Sequence, residues 1–362
     1  MRKPVRVLLT GGGSGGHIIP NLAVAKAIKD RRPDAELLYI ASRNKLDAEL
    51  LKKAGLFFRR IYSGKLRRYF SWRNFVDPFY VLLGFFQSFF ILIRFWPNVV
   101  FSKGGFVSLP VVLAAYILRR RIVLHESDSR MGLANRIASR LASTVCVAFQ
   151  NLVKNGVKYR LTGNPIRPEI AQGDAKEGFR ITGFKKGLPV LLVWGGSQGS
   201  AQINGLIEKD FEKFTEHFQI VHIVGAGKAI NKKSPNYVQL EYLNDELKHV
   251  YAIADMVIGR AGANSLYEIA TLKKPNIIIP LGNADQLGNA AYFEEMGAGI
   301  VYKKAGSLVL GAGSTANGGR RLFDLALNLW QNQTLRHDME ASLGKISANN
   351  ATAEIVKIIL GL

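Results

Sequence analysis

Cysteine and acidic side chains are scarce in this sequence. Cys146 is the only cysteine among 362 residues. An internal disulfide is therefore excluded, and the composition suits a reducing compartment. Asp and Glu number 27 against 49 Lys and Arg, so the formal net charge is +22. This excess favours a polyanionic partner, which can be a nucleic acid, an acidic lipid or a phosphorylated substrate.

Three further features are missing from the sequence. Residues 1–20 lack the apolar core and small-residue cleavage site of a signal peptide, so we expect no export. The longest run that is apolar nearly all round, Phe79–Ile93, has about 15 residues, whereas roughly 20 are needed to span a bilayer. The sequence shows no cluster of metal ligands with the usual spacing, and we expect neither a metal site nor a cofactor.

Short apolar segments alternate with helix-length segments along the whole chain. This rhythm predicts an α/β fold with parallel, doubly wound sheets. At Pro189–Gly199 a second apolar strand runs into a second glycine loop, which predicts two Rossmann-like domains facing each other. The other predicted strands are Val5–Thr10, Glu36–Ala41, Phe57–Ile61, Val99–Ser102, Ile122–His125, Val145–Phe149, Ile220–Val224, Met256–Ile258, Asn276–Leu281 and Gly299–Val301.

The predicted domain boundary lies in Gly163–Pro168, a segment with two prolines and a glycine. We expect an N-terminal domain of residues 1–163 and a C-terminal domain of residues 164–352. The last predicted helix, residues 353–362, is expected to pack back on the N-terminal domain.

The most informative stretch is Val5–Pro20, where an apolar strand enters a loop of five glycines and one serine. Glycine permits close approach to a ligand, and the helix that follows offers free N–H groups to an anion. His17 comes directly after the loop and is the candidate general base, because histidine titrates near neutral pH. The alternative is a helix-start histidine that only packs or orients.

The same loop satisfies the pattern G-x-G-x-x-G with Gly11, Gly13 and Gly16. A dinucleotide site also needs an acidic residue at the end of the second strand. Residues 41–43 are Ala, Ser and Arg instead, which argues against an NAD-dependent oxidoreductase. A tight turn without a ligand is the remaining alternative.

Polar side chains follow two more strands of the first half. Ser102–Gly105, which includes Gly104, is a second candidate phosphate loop, although Lys103 is alternatively a solvated charge. His125–Asp128 places Glu126 and Asp128 at the carboxyl edge of the sheet, where open α/β folds bind ligands. The alternative for both acids is capping of the helix that follows.

Three segments of the second half have groups suited to a nucleotide sugar. Gly195–Gly199 repeats the strand, loop and helix pattern. Arg260–Glu268 follows a strand with small residues and a helix start for a diphosphate, and Glu268 is placed to accept from ribose hydroxyls. Asp285 and Gln286 are suited to hydrogen bonds with a sugar. Arg167, at the domain boundary, is a candidate phosphate ligand.

An apolar, basic segment interrupts the pattern at Gly64–Pro97. It has six phenylalanines between Phe75 and Phe90 and arginines at positions 67, 68, 73 and 94. One interpretation is a buried helix, and the other is an apolar face ringed by arginines in a membrane interface. The two are compatible, and the basic rim favours peripheral membrane attachment.

Seven motifs in this order closely resemble the MurG family, the bacterial transferases that add N-acetylglucosamine to lipid I. They are GGGSGGHIIPNLAVAKAI, FSKGGFVSLPVVLAA, HESDSRMGLANRIA, GNPIR, GGSQGS, IGRAGANSLYEI and DQLGNA. The resemblance implies a two-domain glycosyltransferase B fold, with the acceptor on the first domain and UDP-N-acetylglucosamine on the second. It also implies an inverting reaction at the 4-hydroxyl of the N-acetylmuramoyl unit, giving lipid II.

The resemblance also carries residue roles to matching positions of this chain. Asp128 stands where many members have asparagine, so HESD departs from the usual HEQN. The first glycine loop and its base match Ser14, Gly15, Gly16 and His17. Nucleotide and donor-sugar positions match Arg167, Ser197, Leu243, Ala263, Asn264, Ser265, Leu266, Tyr267, Glu268 and Gln286. The implied location is peripheral, at the cytoplasmic face of the bacterial plasma membrane, on an anionic surface.

Three alternatives stay open at this point. A related transferase would act on another lipid acceptor, such as diacylglycerol. A UDP-N-acetylglucosamine epimerase would have the same two-domain fold but would turn over the UDP-sugar without an acceptor. A nucleic-acid binder is suggested only by the charge, and we expect no nucleic-acid partner.

Overall fold

A computed structural model of the chain describes residues 4–13, 15–64, 73–196, 198–303, 321–347 and 350–362. The chain forms two compact units, Met1–Arg167 together with Asn349–Leu362, and Pro168–Ala348. Each unit contains one parallel sheet, which confirms the predicted doubly wound α/β class. The two units are described separately below.

The first unit has a seven-stranded parallel sheet in the order β3-β2-β1-β4-β5-β6-β7. Strand β1 lies inside the sheet and pairs with β2 on one side and β4 on the other, with Leu8 opposite Leu38 and Val100. The strands are β1 Arg6–Thr10, β2 Glu36–Ala41, β3 Phe58–Arg60, β4 Val99–Ser102, β5 Arg121–Glu126, β6 Thr144–Val147 and β7 Tyr159–Leu161. Because the pairs are parallel, the loops after β1, β4 and β5 meet at one edge.

Helices cover both faces of the first sheet. The helices are α1 Gly15–Arg31, α2 Lys45–Lys53, α3 Arg73–Phe95, α4 Ser108–Ile117, α5 Leu133–Leu141 and the final α14 Ala351–Leu360. One apolar core joins the sheet to α1, α2 and α14, and the other joins it to α3, α4 and α5. In the first core, α14 buries Ile355, Val356 and Ile359.

The second unit has a six-stranded parallel sheet in the order β10-β9-β8-β11-β12-β13. Its strands are β8 Val190–Trp194, β9 Gln219–Ile223, β10 Tyr237–Leu240, β11 Met256–Gly259, β12 Asn276–Ile278 and β13 Ile300–Val301. Its helices are α6 Ala175–Thr182, α7 Ala201–Lys209, α8 Phe211–His217, α9 Leu247–Ile253, α10 Ala263–Thr271, α11 Ala284–Glu295, α12 Leu322–Gln331 and α13 Gln333–Ile346.

Helix α3 differs from the sequence prediction in length. The apolar run predicts about 15 residues, but the helix has 23. Among the described residues, Val76–Phe95 is the one helical window that is long and apolar enough to cross a membrane, and only 17% of an 18-residue window in it is buried. The helix extends past Phe79–Ile93 at both ends and includes Asp77, Pro78 and Arg94.

One face of α3 packs on the first unit and the other faces outwards. Gly84 allows the close packing, because a Cβ there would lie 2.1 Å from the Tyr62 carbonyl oxygen. Residues spaced by three or four positions share a helix face, and an exposed set with this spacing forms what we call the α3 stripe. Its members are Val76, Phe79, Leu82, Phe86, Phe90 and Ile93, each 44–72% exposed. The segment 65–72, with Arg67 and Arg68, and the Arg73 side chain lie outside the described residues.

Candidate active site

The loop after β1 is held by a carboxylate that the sequence analysis did not assign. Asp47, on α2, is buried and accepts hydrogen bonds from the Gly13 N–H at 3.1 and 3.3 Å and from the Ser42 hydroxyl. Gly13 has φ of +87°, and a Cβ there would lie 2.2 Å from the Phe106 ring. The conformation and the close packing both require glycine at this position.

His17 lies on the first turn of α1, against the loop that follows β4. A Cβ on Gly105 would come within 3.2 Å of the His17 ring. The ring forms a hydrogen bond with the Lys103 backbone, while its Nδ1 is buried and has no partner among the described residues. Burial, and then the positive charge of Lys103, lower the pKa of His17 to about 4. The ring is therefore neutral at physiological pH and has one nitrogen able to accept a proton.

Lys103 is buried rather than solvated, which corrects one interpretation of the sequence. Its ammonium group contacts three acceptors: His125 Nδ1 at 2.8 Å, Asn164 Oδ1 at 3.0 Å and the Ser127 hydroxyl. Three acceptors match the three donors of an ammonium group. His125 Nε2 contacts the Gly163 carbonyl at 2.9 Å, which makes Nδ1 the acceptor for Lys103. Burial lowers the pKa of Lys103, while the charges of Glu126 and Asp128 raise it.

Glu126 holds the loop that joins β5 to α5. Its buried carboxylate accepts from the Asp128 N–H at 3.1 Å, the Gly132 N–H at 3.2 Å and the Asn135 amide at 2.9 Å. Burial, followed by the charge of Asp128, raises the pKa of Glu126. Gly104 packs on the same Asn135, because a Cβ there would lie 2.7 Å from its amide. The loops after β4 and β5 are thus joined at one sheet edge.

In the second unit, Arg260 joins three segments at the carboxyl edge of the sheet. Its guanidinium donates to Gln202 Oε1 at 2.9 Å and the Ile279 carbonyl at 3.0 Å, and also to the Ser200 hydroxyl. Ser200 caps α7 by accepting from the Ile203 N–H at 3.2 Å. Burial lowers the pKa of Arg260. The loops after β8, β11 and β12 are therefore tied together by a cation.

The start of α10 has the features of an anion site. Its N-cap is Gly262, and no side chain caps the helix. The first N–H groups of a helix carry the positive end of its dipole, so they suit a diphosphate. Glu268 lies on the second turn and is 4% exposed. The residues between them are Ala263, Asn264, Ser265, Leu266 and Tyr267, of which Ala263, Leu266 and Tyr267 are buried.

The remaining predicted residues occupy different positions. Gln286, on the first turn of α11, accepts from the Leu281 N–H at 3.0 Å. Leu243 is half-buried in the segment between β10 and α9, and Arg167 is the last residue before the second unit. Asp128 is half-buried after β5, and Gly15 and Gly16 begin α1. Ser14 and Ser197 lie outside the described residues.

Metal ligands are not clustered in the part of the chain that the structure describes, where no three His, Cys, Asp or Glu side chains could hold an ion together.

Comparisons with known proteins identify the family. The model of the glycosyltransferase family 28 N-terminal domain matches residues 7–147, and the C-terminal domain model matches residues 190–309. A Clostridium kluyveri protein named UDP-N-acetylglucosamine--N-acetylmuramyl-(pentapeptide) pyrophosphoryl-undecaprenol N-acetylglucosamine transferase is 45% identical over 307 residues, 83% of this chain and 86% of its own length. A Clostridium botulinum (strain 657) protein with the same name is 43% identical over the same shares.

A solved structure agrees with these relatives. The crystal structure of Acinetobacter baumannii MurG superposes with a TM-score of 0.74 at 23% identity, covering 99% of this chain and 100% of that one. This likeness confirms the predicted glycosyltransferase B fold. The identity and coverage of the two clostridial relatives show that the chain belongs to the MurG family of glycosyltransferases.

Proposed function

We propose that this protein transfers N-acetylglucosamine from UDP-N-acetylglucosamine to N-acetylmuramyl-(pentapeptide) pyrophosphoryl-undecaprenol, which is lipid I, and so makes lipid II for peptidoglycan. The observation that carries this proposal is the 43–45% identity, over 83% of the chain, to relatives named for that activity. Two features support the proposal, because such a reaction needs a diphosphate site and a base: the start of α10, which no side chain caps, and the neutral His17 ring.

In this reaction the acceptor's 4-hydroxyl attacks the anomeric carbon and UDP leaves with the electron pair of the broken C–O bond. Configuration at that carbon inverts. We assign the hydroxyl proton to His17, whose Nδ1 is the ring nitrogen without a hydrogen-bond partner. Nδ1 is buried in the structure without a bound acceptor.

The acceptor's pyrophosphate is assigned to the start of α1, at Gly15 and Gly16, and to the loop with Gly104. The N–H of Gly13 donates to Asp47 and is not counted among the donors to the ligand. A bound pyrophosphate would also raise the pKa of His17 from about 4, because a nearby negative charge favours the protonated ring. Acceptor binding would thereby make His17 a stronger base.

The nucleotide is assigned to the second unit. The diphosphate lies at the start of α10, where helix N–H groups stabilise the charge that develops on the leaving group. Glu268 accepts from the ribose hydroxyls. Ser197 and Leu243 complete the nucleotide contacts of this unit, and Gln286 contacts the donor sugar. The family resemblance also assigns Arg167 to the nucleotide and Asp128 to the donor sugar, and both residues belong to the first unit. These roles rest on the family resemblance together with the positions of the residues at strand ends.

Membrane attachment is assigned to the α3 stripe. Six large apolar side chains, 44–72% exposed along one helix face, are costly in water and suit a lipid interface. The net charge of +22 favours an anionic surface. An undecaprenyl-linked acceptor lies in a membrane, so this face would bring the enzyme to its substrate at the cytoplasmic side. We propose no nucleic-acid partner.

The direct test is transfer of radiolabelled N-acetylglucosamine from UDP to purified lipid I. Lipid II should accumulate, while diacylglycerol in place of lipid I should give no product. A sample without acceptor should leave UDP-N-acetylglucosamine unchanged. Product with diacylglycerol alone would indicate the alternative transferase, and turnover without acceptor would indicate an epimerase.

A further inference from the structure

A pocket lies between the sheet of the first unit and the end of α3. Its volume is about 280 Å³, and its walls include Arg6, Phe57, Arg59, Ile91, Arg94 and Phe95. Arg6 is the first residue of β1, whereas the glycine loop follows Thr10 at the other end. Four residues of strand separate these ends by about 13 Å, so Arg6 and its partner Glu36 lie at the opposite end of their strands from the glycine loop. Arg59 enters the pocket from β3, where it is in register with Ile40.

The pocket carries an excess of positive charge. Its single carboxylate, Glu36, accepts from Arg6 Nε at 2.8 Å, and Arg6 Nη1 also donates to the Phe95 carbonyl at 3.3 Å. Arg6 is thus neutralised and held in place. Arg59 and Arg94 have no ion-pair partner among the residues that the structure describes, so two guanidinium groups stay available. Guanidinium groups bind phosphate oxygens through paired N–H donors, which makes a phosphate the matching anion.

Apolar surface adjoins these guanidinium groups. Phe57 is 60% exposed, and the Arg59 guanidinium lies 4.6 Å from its ring centre. Arg94 directly follows Ile93 and lies one turn after Phe90, so it borders the end of the α3 stripe. A ligand that suits both surfaces has a phosphate joined to apolar chains. A soluble phosphate ester would use only the arginines.

We propose that this pocket binds the phosphate headgroup of an anionic phospholipid, whose acyl chains lie along the α3 stripe. The inference rests on the membrane attachment proposed above and adds a defined headgroup site to it. A stripe alone would let the first unit rotate about the axis of α3. A headgroup held by Arg59 and Arg94 at one end of the helix fixes a single orientation on the membrane.

The test compares vesicles that contain phosphatidylglycerol and phosphatidylcholine with vesicles of phosphatidylcholine alone. The native chain should bind the anionic vesicles more tightly. The double variant Arg59→Gln/Arg94→Gln should lose about tenfold or more of that preference, because each basic group near an anionic surface contributes roughly fivefold. Arg31→Gln/Lys52→Gln removes the same charge from exposed positions on α1 and α2, over the other face of the sheet, and should change the preference little.

A charge-preserving variant separates a built site from general attraction. Arg59→Lys/Arg94→Lys keeps the net charge but removes the paired donors, so it should also lose several-fold in preference for the anionic vesicles. Two results would overturn the headgroup site. One is a native-like preference of the lysine variant for anionic vesicles, and the other is an equal loss of that preference in the glutamine variant and in Arg31→Gln/Lys52→Gln. Thermal unfolding midpoints close to the native value should establish that the variants are folded.

One further measurement, displacement by glycerol phosphate, identifies the ligand, and the vesicle assay distinguishes failure of the pocket from failure of the membrane attachment. Glycerol phosphate has the headgroup but no acyl chains, and it should not displace the native chain from anionic vesicles. Displacement would assign the pocket to a soluble phosphate ester instead. Failure of the native chain to bind either vesicle would overturn the membrane proposal itself. If the native chain binds anionic vesicles and the glutamine variant binds them equally well, only the headgroup site in the pocket would be overturned.

Discussion

His17 is placed so that its basicity depends on what is bound beside it. In the structure, burial and the Lys103 charge lower its pKa to about 4, and Asp47 acts in the opposite direction. A neutral imidazole with a buried, unpartnered Nδ1 is costly unless it serves a ligand or a reaction. This cost favours a catalytic role over a purely structural one.

Replacing His17 should therefore slow catalysis more than it weakens binding. His17→Ala is expected to lower kcat by about 10²–10⁴, the usual contribution of a positioned general base. Binding of UDP-N-acetylglucosamine, measured by calorimetry, should stay close to native because His17 is assigned to the acceptor hydroxyl and not to the nucleotide. The matched control is His337→Ala, because the His337 side chain is 81% exposed. This variant should leave kcat unchanged. Native turnover in His17→Ala would remove the base assignment.

Lys103 should control the titration of His17. Its charge lowers the pKa of His17, so Lys103→Met should raise that pKa from about 4 towards the ordinary value of about 6.5. Burial, the larger cause, persists in the variant and keeps the pKa below that value. The measurement is an NMR titration of ¹³C-labelled histidine, with His17→Ala to assign the signal. Lys103→Arg keeps the charge and should leave the pKa near 4; an unchanged pKa in Lys103→Met would contradict the electrostatic account.

Glu268 gives a separate prediction for the nucleotide. Glu268→Gln keeps the size of a buried side chain but weakens its acceptor strength, and UDP should bind about tenfold or more weakly. The discriminating measurement uses 2′,3′-dideoxy-UDP. Native protein should prefer UDP over this analogue, and the variant should bind both about equally. Equal weakening of the two ligands would place the role of Glu268 in packing rather than at the ribose.

The sequence could identify motif residues but not their distant partners. His17, Lys103 and Glu126 stand in recognisable loops, yet Asp47 contacts Gly13 across 34 positions and Lys103 contacts Asn164 across 61. Such contacts arise because parallel strands bring separate loops to one edge of the sheet. The amino-acid sequence of a loop does not specify which side chains of the other loops it contacts. For the same reason the sequence left open that Lys103 is a solvated charge, because its buried partners His125 and Asn164 lie in other loops.

At the scale of elements, strand patterns were reliable where strands are buried on both faces. The central strands β1, β4, β8 and β11 are continuous apolar runs and match their predictions. The prediction missed two edge strands, β7 and β10. They have three and four residues and include Arg160 and Gln239, so neither composition nor alternation distinguishes them from loops.

Helix α3 has phenylalanines that pack in the core and phenylalanines that are exposed, and these alternate in its sequence. Phe85 and Phe89 pack against the core, whereas Phe86 and Phe90 are 50% and 68% exposed. We expect Phe86→Ser/Phe90→Ser to reduce binding to anionic vesicles by about tenfold for each ring, because burial of such a side chain contributes roughly 1.5–3 kcal/mol. Vesicle flotation measures this change, and the melting temperature should stay near native.

Two controls accompany this prediction. Phe85→Ser/Phe89→Ser should lower the melting temperature, because it removes rings that contact the core. Val157→Ser changes an 85% exposed side chain outside α3 and should alter neither vesicle binding nor stability. If the Phe86 and Phe90 variant bound vesicles like the native chain, the α3 stripe would not be the membrane face.

At the scale of the whole molecule, the end of the chain belongs to the first unit. Helix α14 follows the second unit in sequence, but Ile355, Val356 and Ile359 are buried in the core that also contains α1. The Arg121 guanidinium donates to the Ile359 carbonyl at 3.2 Å across 238 positions. Sequence periodicity predicts this helix, whereas the α1 face that it covers is specified only by the folded chain.

This arrangement predicts that a change in α14 weakens the unit that is distant in sequence. Ile355→Ala and Ile359→Ala should each destabilise the first unit by about 2–5 kcal/mol, because each leaves a cavity in a closed core. Calorimetry should show two unfolding transitions. UDP raises the midpoint of the unit that binds it, which assigns the second unit's transition, and the variants should lower only the other one.

The matched control lies two residues beyond the helix. Leu362 is 69% exposed, so Leu362→Ala removes a similar side chain from the same terminus and should leave both transitions unchanged. UDP binding should survive in all three variants. Transfer to lipid I should fall in Ile355→Ala and Ile359→Ala at temperatures where the first unit unfolds, because His17 lies in that unit, and it should stay native in Leu362→Ala. A loss of UDP affinity in Ile355→Ala at a temperature where the first unit is still folded would contradict the assignment of the diphosphate and ribose sites to the second unit.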